Sequence, residues 1–315
     1  MDSNLALEFV QVAELAAIAA ARMIGRGDAD GADQAAVEAM RAAFNQMPMN
    51  STVVIGEGER DEAPMLFIGE RVGTGEGPVF DIALDPLECT NSVAYGKPNS
   101  LAVLAVAPEG RFLHAPDTYM EKIAVGPDAA GVVDVTLGPE ENLKNLAKVK
   151  GVPVEELTAV ILDRERHEEL IQRVRGMGCR IKLITDGDVS AAISTSTPGS
   201  NVDILMGIGG APEGVLAAAA LRCLGGDMQA RLAFRNDNER ERTIAMGTDP
   251  DKVFEIHDLA AGDDILFVAT GITPGDYLDG VNFSDSGCST ETMFIHSATG
   301  TFRIISAEHR FDWSP

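Results

Sequence analysis

The stretch Asp85-Pro86-Leu87-Glu88-Cys89-Thr90-Asn91 sets two carboxylates and a hydroxyl around a proline turn. A strand ending at Asp85 would deliver its carboxylate, Pro86 would turn the chain, and Glu88 would return to the same point with Thr90 behind it. Mg²⁺ and Mn²⁺ take about six oxygens in octahedral order, drawn from a few carboxylates, water and phosphate oxygens. The loop has donors of that kind; a capped turn, with Asp85 bonded to backbone amides, is the plainer alternative. In Gly56-Glu57-Gly58-Glu59 the glycines around Glu57 let the backbone approach a ligand closely. Taken alone, that tetrapeptide reads first as a polar surface turn. Gly207-Ile208-Gly209-Gly210-Ala211-Pro212-Glu213-Gly214 leads from a strand into a helix, where exposed amides favour an anion and Pro212 and Glu213 suit the first turn. There Glu213 also serves as a simple complement to the helix dipole. Gly73-x-Gly75-x-Gly77 lacks the flanking pattern of a dinucleotide fingerprint.

Composition narrows the chemistry. The chain has 315 residues, 45% of them hydrophobic, enough for two domains. Its 49 acidic residues outnumber 25 basic ones, for a net charge of −24. That field repels nucleic-acid backbones and anionic membranes, so neither is an expected partner. A phosphorylated small molecule still fits where divalent cations and a few arginines reverse the local field. Cys89, Cys179, Cys223 and Cys288 form no CxxC pair, which signals neither a disulfide framework nor a zinc cluster and fits a reducing cytoplasm. The five histidines never fall at i, i+3 or i, i+4, so oxygen ligands must carry any metal chemistry. There is no Cys-x5-Arg phosphatase signature either. The apolar start, 5–24, lacks a basic n-region and carries Glu8 and Glu14, and reads as the helix of a soluble protein rather than a signal peptide or membrane span.

The elements that must position these groups follow from periodicity. Leu5, Phe9, Val12, Ala16, Ala19 and Met23 recur at helical spacing, with Gly25 at the C-cap. Val37, Met40 and Phe44 mark a second helix that ends before Pro48, with Asp33 at its mouth. Residues 52–55, 79–84 and 101–106 read as strands, and 111–113 and 123–125 as weaker ones, predicting two helices against a largely antiparallel sheet. From 157 onward, strands at 158–162, 180–184 and 202–206 alternate with helices at 165–177 and 189–194, which predicts a parallel sheet. A long apolar helix, 211–224, closes at Gly225 and Gly226, and the charged segment 236–242 reads as an exposed connection. The expected division is a metal-binding α+β domain over 1–155 and an α/β substrate-binding domain over 156–315.

Taken together, several blocks resemble the class II, GlpX-type fructose-1,6-bisphosphatases. They are Gly27-Asp28 to Asp33, Val54 to Glu59 with Asp61-Glu62-Ala63-Pro64-Met65, Asp85-Pro86-x-Glu88-x-Thr90, Ala115-Pro116-Asp117-x-Tyr119-Met120, Asp186-Gly187-Asp188 and Gly207 to Gly214. They occur in order over nearly the whole chain. The wider resemblance is to the lithium-sensitive, metal-dependent sugar phosphatases, whose motif is Asp-Pro-x-Asp/Glu-Gly-Thr/Ser in a layered α/β/α/β/α fold with two sheets. The resemblance implies that Asp33, Glu57, Asp85, Glu88 and Glu213 hold Mg²⁺ or Mn²⁺, and that Thr90, with Asp33 and Glu57, serves the attacking water. It puts substrate contacts on Glu88, Cys89, Thr90, Tyr119, Arg164, Glu165, Arg166, Asp186, Gly187, Asp188 and Gly210. Arginines would grip the non-reacting phosphate, and carboxylates would accept hydrogen bonds from sugar hydroxyls.

The activity so implied is hydrolysis of the 1-phosphate of fructose 1,6-bisphosphate in gluconeogenesis, by a cytoplasmic homo-oligomer, dimer or tetramer. Related bifunctional enzymes also cleave sedoheptulose 1,7-bisphosphate, whereas inositol monophosphatase activity fits the glycine-rich blocks less well. The sequence departs from the pattern at Cys89, which stands where the superfamily motif has glycine. A glycine there for positive φ or close phosphate approach would make Cys89 a source of strain, and a sugar-phosphate-binding protein with weak or no catalysis is the alternative from another class.

Overall fold

The computed structural model describes residues 3–58, 66–115 and 117–311; Glu59, Asp61 to Met65 and Pro116 of the motifs above lie outside them. In chain order the elements are α1 (Ser3–Ala21), α2 (Ala29–Phe44), β1 (Ser51–Ile55), β2 (Arg71–Val72), β3 (Phe80–Glu88), α3 (Thr90–Tyr95) and β4 (Leu101–Pro108). Next come β5 (Tyr119–Val125), α4 (Pro139–Lys150), β6 (Thr158–Leu162), α5 (Glu168–Gly176), β7 (Arg180–Ile184), α6 (Asp188–Ser194), β8 (Ile204–Gly210), α7 (Ala211–Leu224), β9 (Asp227–Ala233), α8 (Asp237–Ala245), β10 (Val253–Glu255) and α9 (Ile256–Leu259). The chain closes with β11 (Leu266–Gly271), β12 (Asn282–Ser284), β13 (Gly287–His296) and β14 (Thr301–Arg310).

Two compact units result, one from Met1–Gly110 with Asp263–Pro315 and one from Arg111–Gly262. The division expected at 155/156 falls inside the second unit, between α4 and β6. The last strands return to the first sheet, where β11 pairs with β4 from Leu266↔Val106 to Gly271↔Leu101. Local periodicity carries no signal for so distant a partner.

In the first unit the strand order is β14-β13-β11-β4-β3-β1-β2, with β12 also paired to β13. The sheet is antiparallel apart from β1 beside β3, as the largely antiparallel reading predicts. Helices α1 and α2 bury their apolar stripes with Met40, Phe44, Leu84, Leu104 and Val268 in one core. By length and composition Asn4–Ala21 could cross a membrane. Its Phe9, Val12, Ala13, Ala16, Ala17 and Ala20 are instead at most 1% exposed, so that face is consumed by packing. Glu14, within the helix, accepts a hydrogen bond from Thr290 Oγ1 at 3.3 Å.

The second unit carries the order β10-β9-β5-β8-β6-β7. Its β6, β7 and β8 are parallel, as the alternation after 157 predicts, while β5, β9 and β10 add an antiparallel half. The segment 123–125, placed by the sequence in the N-terminal sheet, belongs here in β5, and 111–113 makes a single bridge, Phe112 to Ala260. Residues 236–242 are largely exposed, as expected, but they are not a connection. They begin α8, whose N-cap Asn236 accepts from the Glu239 amide at 3.0 Å, with Glu239 itself buried. Ile123 and Val125 of β5 enter a core with Leu143, Leu146, Ile161, Ile171 and Val174, while Lys122 points the other way, toward α6.

Phe9 is fully buried and meets Phe44 and Phe80 edge to face, with ring centroids 6.3 and 6.2 Å away. Phe9→Ala should destabilise the fold by about 3–5 kcal/mol, the usual range for truncating a buried aromatic. Urea unfolding followed by circular dichroism checks this, and a loss below about 1 kcal/mol would contradict the packing.

Candidate active site

In the first unit the parallel pair sets the geometry. Ile55 of β1 lies opposite Ala83 of β3, so Glu57 and Asp85, each two residues further on, leave the same ends of neighbouring strands. The path to Glu57 requires glycine, because a Cβ on Gly56 would sit 2.1 Å from the Leu66 carbonyl oxygen, the oxygen that accepts from the Glu57 amide at 3.0 Å. On β3 the pairing slips between Asp85 and Glu88: Asp85 faces Val103 and Glu88 faces Leu101, a bulge of one residue. Pro86, with no amide proton to give the ladder, sits in that bulge. It brings an oxygen of Asp85 and one of Glu88 within 4.8 Å of each other. Asp85 Oδ1 also accepts from the Leu87 amide at 3.0 Å, so the capped-turn and ligand readings of this loop coexist.

Asp33 lies on α2, one turn past its N-cap, Asp28. Burial first, then the Asp85 and Asp30 carboxylates, push the Asp33 carboxyl up to about 6. Such crowding of hard oxygen donors fits a divalent cation, which would relieve the repulsion.

Cys89, buried, adopts φ 66° and ψ 53°, the left-handed region, and caps α3. The backbone here is thus glycine-like although the residue is not. Thr90 follows as the first residue of α3, its hydroxyl donating to the Leu87 carbonyl at 3.2 Å.

In the second unit β5 and β8 pair antiparallel with Tyr119 opposite Gly210. Arg166 Nε and Nη2 donate to the Ile208 carbonyl at 3.0 and 2.7 Å, and its guanidinium carbon lies 4.8 Å from the Tyr119 ring centroid. Arg164 faces Asp186, whose carboxyl burial pushes above the ordinary range, with Asp188 adding to the rise and the Gly187 amide and Arg164 opposing it. Gly187, at φ 88°, turns the chain into α6, which begins at Asp188. Glu213 occupies the first turn of α7, and a Cβ on Gly210 would lie 1.8 Å from its Oε2. Glu165 is exposed in the turn that precedes α5.

Three residues missed by sequence reasoning also shape this half. His167, 2% exposed, accepts from the Ile208 amide through Nε2 at 2.7 Å and gives its Nδ1 proton to the Leu162 carbonyl at 2.8 Å. That network makes it the neutral tautomer, and burial pulls its pKa below the usual histidine range. A Cβ on Gly207, at φ 140°, would come within 3.0 Å of His167 Nε2. Arg235 places its guanidinium carbon 5.0 Å from the Tyr119 ring centroid and is bound by Glu239. Lys122, 2% exposed, donates to Asp188 Oδ2 at 2.5 Å and to the Gly210 carbonyl at 2.8 Å. A lone histidine and a lone lysine carry no spacing signal, whereas Arg235 directly precedes a segment that reads as a loop.

Comparison with known proteins places the chain. Residues 3–309 match the family model described as bacterial fructose-1,6-bisphosphatase, glpX-encoded. The chain is 49% identical over 325 residues to fructose-1,6-bisphosphatase 1 class 2 of Escherichia coli (strain K12), covering 99% of this chain and 97% of that protein. It is 48% identical over 337 residues, with the same coverage of 99% and 97%, to the D-fructose 1,6-bisphosphatase class 2/sedoheptulose 1,7-bisphosphatase of Synechococcus sp. (strain JA-2-3B'a(2-13)).

The raised Asp33 carboxyl has a signed consequence. Between its ordinary value of 3.8 and about 6 the folded metal-free chain keeps a proton that the unfolded chain has released, so this group costs stability as pH rises through that window. Asp33→Asn should therefore melt higher than wild type at pH 7 in EDTA, with the gain vanishing toward pH 4. Thermal unfolding at both pH values checks it, and an equal gain at the two would refute the assignment.

Proposed function

The chain belongs to the family of glpX-encoded bacterial fructose-1,6-bisphosphatases, and from that premise we propose that it hydrolyses the 1-phosphate of fructose 1,6-bisphosphate to fructose 6-phosphate and inorganic phosphate. The observation that carries this is the match over residues 3–309, with relatives of that name at 48–49% identity. We assign Asp33, Glu57, Asp85, Glu88 and Glu213 to Mg²⁺ or Mn²⁺, a donor set of carboxylate oxygens that suits a hard cation. When bound, such an ion neutralises phosphate charge and lowers the pKa of water.

The chain's own residues do the rest. The Thr90 hydroxyl, its proton engaged by the Leu87 carbonyl, offers lone pairs that orient the attacking water. Asp33 and Glu57 are the carboxylates that hold that water and take its proton. Glu88, Cys89 and Thr90 line the reacting phosphate. Tyr119, Arg164 and Arg166 hold the other phosphate, the arginines by charge-assisted hydrogen bonds. Asp186 and Asp188 accept from sugar hydroxyls, and Gly187, Gly210 and Glu165 complete the substrate contacts.

A second substrate, sedoheptulose 1,7-bisphosphate, is favoured by the Synechococcus relative whose name carries both activities. The scattered cysteines, with no CxxC pair among them, support a reducing compartment, and we place the protein in the cytoplasm as a homo-oligomer.

Phosphate release from a panel of sugar phosphates with Mg²⁺ or Mn²⁺ tests the reading, and no release from fructose 1,6-bisphosphate would overturn it. Asp85→Ala should cost at least about 10²-fold in rate while leaving the fold intact, because it removes a metal ligand rather than core volume. Wild-type rates in that variant would remove Asp85 from the metal site. Cys89→Gly should raise kcat/KM and shift stability by less than about 1 kcal/mol, since relief of the left-handed strain offsets the entropy of glycine. A fall in kcat/KM on that substitution would show that the loop does not need glycine.

A further inference from the structure

Lys122 is the one lysine among the described residues that is buried. Taking an ammonium out of water is costly, and a buried ion pair is often no more stabilising than apolar residues of the same volume. Stability is therefore a poor reason for a lysine in the middle of β5. Its partners suggest a better one. Nζ donates to Asp188 Oδ2 at 2.5 Å and to the Gly210 carbonyl at 2.8 Å, joining the start of α6 to the end of β8.

The surroundings are cleared for this contact. A Cβ on Gly209 would stand 2.2 Å from Asp188 Oδ2 and 3.2 Å from Lys122 Nζ. One on Gly214 would stand 2.6 Å from Met120 Sδ and 3.8 Å from the same Nζ. Gly209 thus leaves room for the ammonium and the carboxylate it holds, while Gly214 leaves room for the Met120 side chain beside it. Asp188 and Gly210 are both residues given above to the substrate, whereas Lys122 is too deeply buried to touch it.

We propose that Lys122 is a positioning residue for substrate binding. Its ammonium occupies Asp188 Oδ2 and leaves Oδ1 for a sugar hydroxyl, while fixing the Gly210 carbonyl and with it the peptide that leads into α7. This rests on the bisphosphatase reading, and adds to it a residue that acts through two substrate contacts at once. Because neither contact is to the reacting phosphorus, loss of Lys122 weakens binding more than it slows chemistry.

The test is steady-state phosphate release by the full chain with Mg²⁺ or Mn²⁺. Lys122→Met should raise KM for fructose 1,6-bisphosphate about tenfold or more while kcat stays within about threefold, the signature of lost substrate binding through a charge-assisted hydrogen bond. A folded variant with wild-type KM, or one whose kcat falls at unchanged KM, overturns the proposal. If Lys122→Met strands the Asp188 carboxylate and fails to fold, Asp188→Asn is compared with Lys122→Met/Asp188→Asn, which buries no lone charge. The double variant should then show a KM about threefold or more above Asp188→Asn, because the Gly210 carbonyl has lost its donor. Equal KM values, or a double variant that does not fold, make Lys122 a residue of stability alone and overturn the inference. Wild-type chain that releases no phosphate from fructose 1,6-bisphosphate overturns the bisphosphatase reading and the inference with it. Normal wild-type turnover with unchanged KM in the variants defeats the Lys122 inference by itself.

Discussion

Like charges held close together repel, and the first unit is organised around holding several of them. The sheet is antiparallel except where β1 runs beside β3, and that exception matters because parallel strands release their chains at the same end. Glu57 and Asp85 leave there, and the bulge at Pro86 returns Glu88 to within reach of Asp85. The strain of the arrangement is visible in Asp33, whose carboxyl rises to about 6 through burial and its acidic neighbours. The apolar core of α1 and α2 beneath the sheet holds α2 in place, so Asp33 cannot relax away from them.

The second unit solves a different problem, how to bring polar backbone and side chains to a strand end without leaving buried groups unsatisfied. Ile208 illustrates it: its amide is taken by His167 and its carbonyl by Arg166, so one residue ties the turn before α5 to β8. Lys122 does the same for Gly210 and Asp188. Buried polar contacts of this kind are costly when half made and rigid when complete. Guanidinium groups are left at the surface instead, with those of Arg166 and Arg235 both set against the Tyr119 ring.

Cys89 breaks the local agreement between residue and backbone. A non-glycine residue at φ 66° costs roughly 1–2 kcal/mol, and it sits between two proposed ligand-bearing positions, Glu88 and Thr90. Violations of local preference are expected to collect at functional sites. Here the backbone is kept by the bulge before it and by α3 after it, whose Ser92 amide donates to the Cys89 carbonyl at 2.7 Å.

Much of this was legible in the chain itself. Helical period and caps mark α1, α2 and α7, and for α7 the limits 211–224 match with Gly225 at φ 79°. The groups at Glu57, Asp85 to Thr90 and Gly207 to Glu213 declare themselves because glycine and proline beside carboxylates are local signals. The rest was not legible, because it depends on partners distant in sequence. The return of β11 to β4, the placement of β5 in the second sheet, and the helix begun at Asn236 all rest on pairings or burial that no short window contains. The same holds for Lys122 and His167. Residue type and spacing determined which groups could do chemistry. Where a lysine or histidine ends up, and what it holds in place, was decided by burial and by the backbone atoms that the fold sets within hydrogen-bonding reach.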